Sequence, residues 1–423
     1  MRGWCCLTAV ASGLVFCGVA FAQFATPAVS GSIATPLTVD YGLTGRSEYT
    51  DNFGFSGRST FVTSIGPTAA VRMDSEAVKL AGSVGLFATH FSNSAVGKTT
   101  TADPRFSFVG SLLQERSTYN LSSSFFRDRG FNTVAPQPTA GFQTGNQRTL
   151  FTIAPGYSYA VTERLSANAG YSYTSIFHDQ PAISQPDNVS HGVSAGLQYR
   201  VTELDTAGVS LSKSQFRTTP TTTESDTTSL QVSWSRRLSD LSTATAFVGS
   251  SDTNVRGRST QQVCLLPIQF CLSGQFPFQQ ITTGSDFSSR SPVYGFTYVT
   301  QWSPTLSASA QGSRSVQAGA SGLVTRRDSL GAALSYRLTE RTSTSLDYTW
   351  SQNAFVTSTS TAGQSATLQV LSLNVSHDLG DNWALSGGAR YSMTDVTIAN
   401  PNAKAVFVSI SKSWPNNRLF QRP

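Results

Sequence analysis

The sequence Tyr336-Arg337-Leu338-Thr339-Glu340-Arg341 constrains the fold more than any other feature, because the chain returns to it repeatedly with an alternating run on each side. Close copies stand at Tyr159-Ala160-Val161-Thr162-Glu163-Arg164 and Tyr199-Arg200-Val201-Thr202-Glu203. Looser ones are Arg237-Leu238-Ser239-Asp240, Trp302-Ser303-Pro304 and Asp378-Leu379-Gly380-Asp381-Asn382. After Glu163, Leu165, Ala167, Ala169, Tyr171 and Tyr173 share one face, and Ser166, Asn168, Gly170, Ser172 and Thr174 the other. After Glu340, Thr344, Leu346, Tyr348 and Trp350 oppose Ser343, Ser345, Asp347, Thr349 and Ser351. A period of two means strand, so the repeat is a β-hairpin. No segment has the all-apolar run of a buried parallel sheet.

Tight turns fall near Ser75, Glu115, Glu163, Glu203, Asp240, Pro304, Glu340 and Asp381. Longer connections lie near 92–104, 128–147, 177–188, 217–226, 253–290, 317–325 and 354–366, with briefer ones near 50–58 and 396–402. This pattern predicts an all-β fold, a transmembrane antiparallel up-and-down β-barrel of 18 strands, with 16 as the alternative. It places short turns on the periplasmic side and longer loops outside. In lipid every backbone polar group must be paired within the protein, so such a sheet has to close, with strands of about 9–11 residues. A β-solenoid would repeat at a fixed period near 20–30 residues, whereas the turns here are 36 to 64 residues apart. A soluble sandwich is too small for so long a hairpin series.

The composition fits that class: of 423 residues 39% are hydrophobic and 13% charged, with 34 glycines. The net charge of +6 is spread along the chain as single arginines, not gathered into the stripe that nucleic acid requires. Arg2, the apolar stretch Leu7 to Val19 and the site Ala20-Phe21-Ala22 read as a secretory signal over 1–22. Residues 23–36 are then a periplasmic lead-in, 37–414 the barrel and 415–423 a tail. That assignment implies the outer membrane of a Gram-negative bacterium, with outer-membrane lipid and the barrel assembly machinery as partners. No later run is long and apolar enough for a transmembrane helix. Beyond the signal only Cys264 and Cys271 remain, which in an exported chain predicts one disulfide.

In a barrel of this kind the aromatic, apolar face looks to lipid and the Ser/Thr/Gly/Arg face looks inward. Tyr159, Tyr199, Trp302, Tyr336, Trp383 and Trp414, near strand ends, are expected as interfacial girdles. The inward face then carries Arg46, Arg72, Arg105, Arg148, Arg200, Arg237, Arg327, Arg337 and Arg390, against Asp40, Glu48, Asp347 and Asp378. These arginines and Asp347 are the expected pore lining, with a preference for anions or acidic glycans. Arg72, Arg200, Arg237 and Arg337 lie beside turns, where contact with lipid phosphate at the rim is the competing expectation. Pro67 and Pro155 remove ladder donors within strands, and a bulge or kink is expected at each.

Tyr49-Thr50-Asp51-Asn52, followed by Phe61-Val62-Thr63-Ser64-Ile65-Gly66-Pro67, resembles a family of β-barrel porins associated with exopolysaccharide gene clusters. The specific motif covers about twenty residues, the general hairpin series the whole chain after the signal. The resemblance implies an outer-membrane barrel with a role in export or assembly of surface polysaccharide. It supplies no catalytic residues. The chain departs from such barrels at its end, where Trp414 is followed by Pro415 to Pro423 instead of closing the sequence.

Other chemistry finds little support. Gly192-Val193-Ser194-Ala195-Gly196 matches a nucleophile elbow, but that elbow needs a strand-to-helix turn and Ser194 lies mid-strand. His90, His178, His191 and His377 are scattered, so no metal or other cofactor is expected. Asp51 beside Asn52 reads as turn chemistry ahead of a divalent-cation site. The leading function is a porin-like channel or export barrel for polar solutes, surface polysaccharide among them; a barrel-embedded lipid- or glycan-modifying enzyme and an adhesive or structural barrel are the alternatives. Connection 253–290 is apolar around Cys264-Leu265-Leu266-Pro267-Ile268 and Phe276-Pro277-Phe278, and is expected to fold inward as a lid or plug, or to bind a partner.

Overall fold

The computed structural model describes residues 37–53, 58–92, 100–128, 147–179, 187–219, 223–263, 279–284, 286–318, 324–355, 365–395 and 402–416. They form nineteen strands. The first nine are β1 (Thr38–Thr50), β2 (Thr60–Asp74), β3 (Val78–Phe91), β4 (Thr100–Leu113), β5 (Ser117–Asp128), β6 (Arg148–Ala160), β7 (Leu165–His178), β8 (Asp187–Arg200) and β9 (Asp205–Thr219). The rest are β10 (Thr223–Ser239), β11 (Ser242–Val263), β12 (Gln279–Gly284), β13 (Phe287–Ser303), β14 (Leu306–Ala318), β15 (Val324–Arg337), β16 (Thr342–Phe355), β17 (Ser365–Gly380), β18 (Trp383–Thr394) and β19 (Asn402–Asn416). Successive strands pair antiparallel, except that β11 pairs directly with β13 while β12 pairs only with the end of β11, over Arg258–Val263. The last strand returns to the first, from Val39↔Asn416 to Thr50↔Ala405. With β12 set aside, eighteen strands close into a barrel that leaves no free edge.

The recurring Thr-Glu sequence makes turns because its threonine hydroxyl replaces ladder partners. Thr162 Oγ1 accepts from the backbone N–H of Arg164 and Leu165, Thr202 Oγ1 from Leu204 and Asp205, and Thr339 Oγ1 from Arg341. The Gly380-Asp381-Asn382 turn is different: all three have positive φ, which glycine and short polar residues tolerate.

Exposure separates the two faces of the sheet. Val84, Leu86, Val193, Leu211, Leu230 and Val248 share one face and are each more than half exposed, as side chains splay on the convex side of a closed sheet. Fully burying one such side chain contributes about 1.5–3 kcal/mol, so an apolar belt of this extent requires lipid around it. Tyr159, Tyr199, Trp302, Tyr336, Trp383 and Trp414 are exposed on this face at the short-turn end. The other face is mostly Ser, Thr, Gly and Arg and surrounds the lumen.

Three expectations need correction. The barrel strands run from 12 to 22 residues, longer than the 9–11 that cross lipid. On β9 the outward face changes from Val209 and Leu211 to Lys213, Gln215 and Arg217, so the sheet continues past the apolar belt with a polar outer face. That loss of alternation is why 217–226 and much of 253–290 read as loops although β9, β10, β11, β12 and β13 occupy most of them. Pro67 and Pro155 cause no bulge. The β2–β3 register passes from Ile65↔Ala88 to Thr68↔Gly85, and β6–β7 from Ile153↔Tyr173 to Gly156↔Gly170, without a shift. Each proline only omits ladder pairs toward one neighbour and keeps its pairing with the other, Leu43↔Pro67 and Leu121↔Pro155.

Candidate functional site

The strand register puts every arginine expected in the lining on the face opposite the apolar belt. Arg46 stands across from Ser64 and Ser409, Arg105 from Gly85 and Phe126, Arg148 from Asp128, and Arg390 from Ser372 and Ala405. Arg327 faces Ser315, and Asp347 sits between Ala333 and Ser372. Arg72, Arg200, Arg237 and Arg337 share that face at the short-turn end, the last three across from Thr206, Thr243 and Ser343. Asp347 is held by Ser345 Oγ at 3.1 Å and by Asn374 Nδ2 at 3.4 Å.

Four of these arginines gather on one wall, near the long-loop ends of β18, β1, β4 and β6. Glu48 holds two of them, its Oε2 taking Arg46 Nη2 at 2.7 Å and its Oε1 taking Arg390 Nη2 at 2.7 Å. Arg148 Nε donates to Asp128 Oδ1 at 2.9 Å, with both side chains below one-tenth exposed. Arg105 lies within electrostatic reach of Asp103, Asp128 and Arg46, and Asp103 Oδ2 accepts from Thr89 Oγ1 at 2.6 Å. Two guanidiniums rest on rings: Arg46 is 4.0 Å from the Phe407 ring centre and Arg105 is 4.8 Å from that of Phe87. A glycine makes room beside each ring. A Cβ on Gly388 would approach Phe407 to 2.8 Å, and one on Gly85 would approach Phe87 to 2.7 Å.

Asp103 and Asp128 are absent from the expected lining, because 92–104 and 128–147 read as loops whereas both residues lie in strands. With them, among the described strand residues nine inward arginines face six carboxylates: Asp40, Glu48, Asp103, Asp128, Asp347 and Asp378. Asp74 and Lys79, 3.8 Å apart, add a neutral pair at the rim. The cationic surplus is therefore narrower than the sequence suggested. At Arg46 the glycine stands across from the ring, Gly388 from Phe407, whereas at Arg105 it stands across from the arginine itself, Gly85 from Arg105.

The opposite wall is built from hydroxyls. Thr227 and Thr253 Oγ1 are 3.1 Å apart, Ser229 Oγ donates to Ser251 Oγ at 2.9 Å, and Thr245 Oγ1 to Ser235 Oγ at 3.0 Å. On the inward face of β8–β11, β13 and β14, Arg200 and Arg237 are the charged residues among those described, and both sit at the short-turn rim.

Ser194 is mid-strand on β8 and faces inward, while His191 on the same strand faces outward against Tyr171 Oη at 2.8 Å. His90 is near Thr100 and His377 near Thr342. Among the described residues no group of three or more His, Cys, Asp or Glu side chains is arranged to hold a metal. Asp51 is committed to strand pairing: its Oδ1 accepts from Lys404 N at 2.7 Å and its own N–H donates to Lys404 O at 3.0 Å. The signal segment 1–22, the lead-in 23–36 and the Cys264–Cys271 pair lie outside the described residues.

No family model matches the chain, and no curated protein matches it. Solved structures do show a likeness. Pseudomonas aeruginosa OpdQ is 10% identical over 90% of this chain and 99% of its own, with a TM-score of 0.43. P. aeruginosa OccK2 (OpdF) in complex with glucuronate gives 10%, 91%, 100% and 0.44, and Acinetobacter baumannii OccAB3 gives 7%, 90%, 99% and 0.43. At this distance the likeness adds nothing to what the strand pairing shows by itself.

Proposed function

We propose that the chain is an outer-membrane channel for polar solutes, with a preference for anionic ones. The observation that carries this reading is a closed eighteen-stranded sheet with an apolar outer belt and an arginine-bearing inner face. Barrels of this size enclose an aqueous lumen. The short turns then face the periplasm and the long connections the exterior, after removal of residues 1–22. An anion crossing the lumen meets guanidiniums fixed by rings and carboxylates on one side. On the other side hydroxyls can exchange for its hydration shell. The same two chemistries suit acidic saccharides, which fits the polysaccharide role implied by the motif at Tyr49–Asn52.

Planar-bilayer recordings test the reading: purified protein should give discrete conductance steps, and silence in every membrane tried would remove it. Orientation is tested separately. Cysteines placed at Glu163 or Glu340 should be protected from impermeant label on intact cells, and those at Asn146 or Ser360 should react; the reverse pattern would invert the topology.

A further inference from the structure

Three of the four guanidiniums on the charged wall have donors already committed. Glu48 takes Arg46 and Arg390, and Asp128 takes Arg148 in a site below one-tenth exposed. Arg105 differs from them. Among the described residues it makes no hydrogen bond and no ion pair, and none of its nitrogens is buried without a partner, so its donors open on the water of the lumen. A ring holds it where the others have a carboxylate. Gly85, across from it on β3, carries no side chain, and the arginine folds over that position onto Phe87, which is buried and lies two residues further along the same face. Stacking occupies the flat side of the guanidinium and leaves the five N–H donors at its edge. The carboxylates within electrostatic reach, Asp103 and Asp128, are both buried, and Asp103 accepts from Thr89 while Asp128 is taken by Arg148, so a solute in the lumen meets Arg105 before either of them.

We infer that Arg105 is the residue of the charged wall that holds the solute, pairing edge-on with a carboxylate. This deepens the channel reading above and rests on it. A carboxylate matches the two parallel donors at the guanidinium edge, and the ring behind keeps that edge turned outward without competing for it. Arg46, Arg148 and Arg390 contribute their field, since their donors are already spent on Glu48 and Asp128. The solutes retained at Arg105 are then those that carry a carboxylate, such as uronic acids, in preference to neutral sugars of the same size.

The test uses planar bilayers, with galacturonate as the probe and galactose as its neutral control, and reads the concentration that halves the single-channel current. Galacturonate should block the wild type and galactose should not. Arg105→Gln should raise the half-blocking concentration roughly tenfold. Arg105→Lys keeps the charge but loses the planar fork, and should raise it roughly threefold. Arg46→Gln removes the same charge from a guanidinium already held by Glu48, and should raise it only about twofold, through the field. A conducting wild type that galacturonate does not block, or a half-blocking concentration unmoved by Arg105→Gln, overturns the inference. So does an Arg46→Gln shift as large as that of Arg105→Gln, because the field of the whole wall would then be holding the anion. A wild type that never conducts overturns the channel reading instead. In that case, or where a variant fails to fold, the wild-type protein in detergent decides the site by modification with phenylglyoxal, an arginine reagent, mapped by mass spectrometry. Arg105 should react ahead of Arg148, and galacturonate should slow its reaction about threefold; an Arg105 that is unreactive, or reactive and not protected, overturns the inference.

Discussion

The wall formed by β18, β19 and β1–β6 and the wall formed by β8–β11, β13 and β14 follow the same alternation and differ in what the inward positions carry. On the first, arginines are paired with Glu48 and Asp128 and stacked on Phe87 and Phe407. On the second, hydroxyls bond across strands in neutral pairs such as Ser229 with Ser251. The outward apolar belt is common to both, so the fold is indifferent to the contrast. A fixed array of charges projects a field into the lumen, whereas neutral hydroxyl pairs act only at contact. Selectivity should therefore reside on one wall and passage should depend on both.

The largest effect should come from breaking the buried pair on the charged wall. Asp128→Ala leaves the Arg148 guanidinium without its carboxylate in a site below one-tenth exposed, and should lower stability by about 3–5 kcal/mol, read as a fall in the urea midpoint. Ser251→Ala on the other wall removes one neutral hydroxyl bond and should cost about 1 kcal/mol. Equal losses would erase the distinction between the walls.

Next in size is Glu48→Gln, which leaves Arg46 and Arg390 without their shared counter-charge while keeping its shape. Anion over cation permeability should rise roughly threefold in 0.1 M salt and less at 1 M, because screening shortens from about 10 Å to about 3 Å. An unchanged ratio would mean that these guanidiniums do not face the ion path. Phe407→Leu should act more weakly, since it removes a ring contact of about 0.5–1 kcal/mol under Arg46 and no charge. A small loss of anion preference at constant conductance is expected. Ser229→Ala with Ser251→Ala should leave the permeability ratio where it was, and a shift as large as that of Glu48→Gln would show that the hydroxyl wall also selects.

The sequence made the barrel legible because alternation is enforced wherever one face meets lipid. The eight tight turns and the eighteen strands followed from it. Its reach ended where lipid ends. Asp103, Asp128 and the upper parts of β9–β11 stand beyond that constraint, where the outer face no longer has to be apolar and period two loses its signal. The stacking of Arg46 on Phe407 was hidden for another reason, since its partners are 361 positions apart in sequence and meet only when β19 closes on β1. The same closure explains why Asp51 and Asn52 looked like simple turn residues: their partners Lys404 and Asn402 arrive with the last strand.

The most direct measurement is the reversal potential under a salt gradient, for wild type and for Arg46→Glu/Arg390→Glu. Both positions share Glu48 and face the lumen on β1 and β18, which flank β19 on the charged wall. The account predicts an anion-selective wild type and a double variant that reverses to cation selectivity while conducting at a similar level. A cation-selective wild type, or a ratio that stays the same when both charges are reversed, would contradict it.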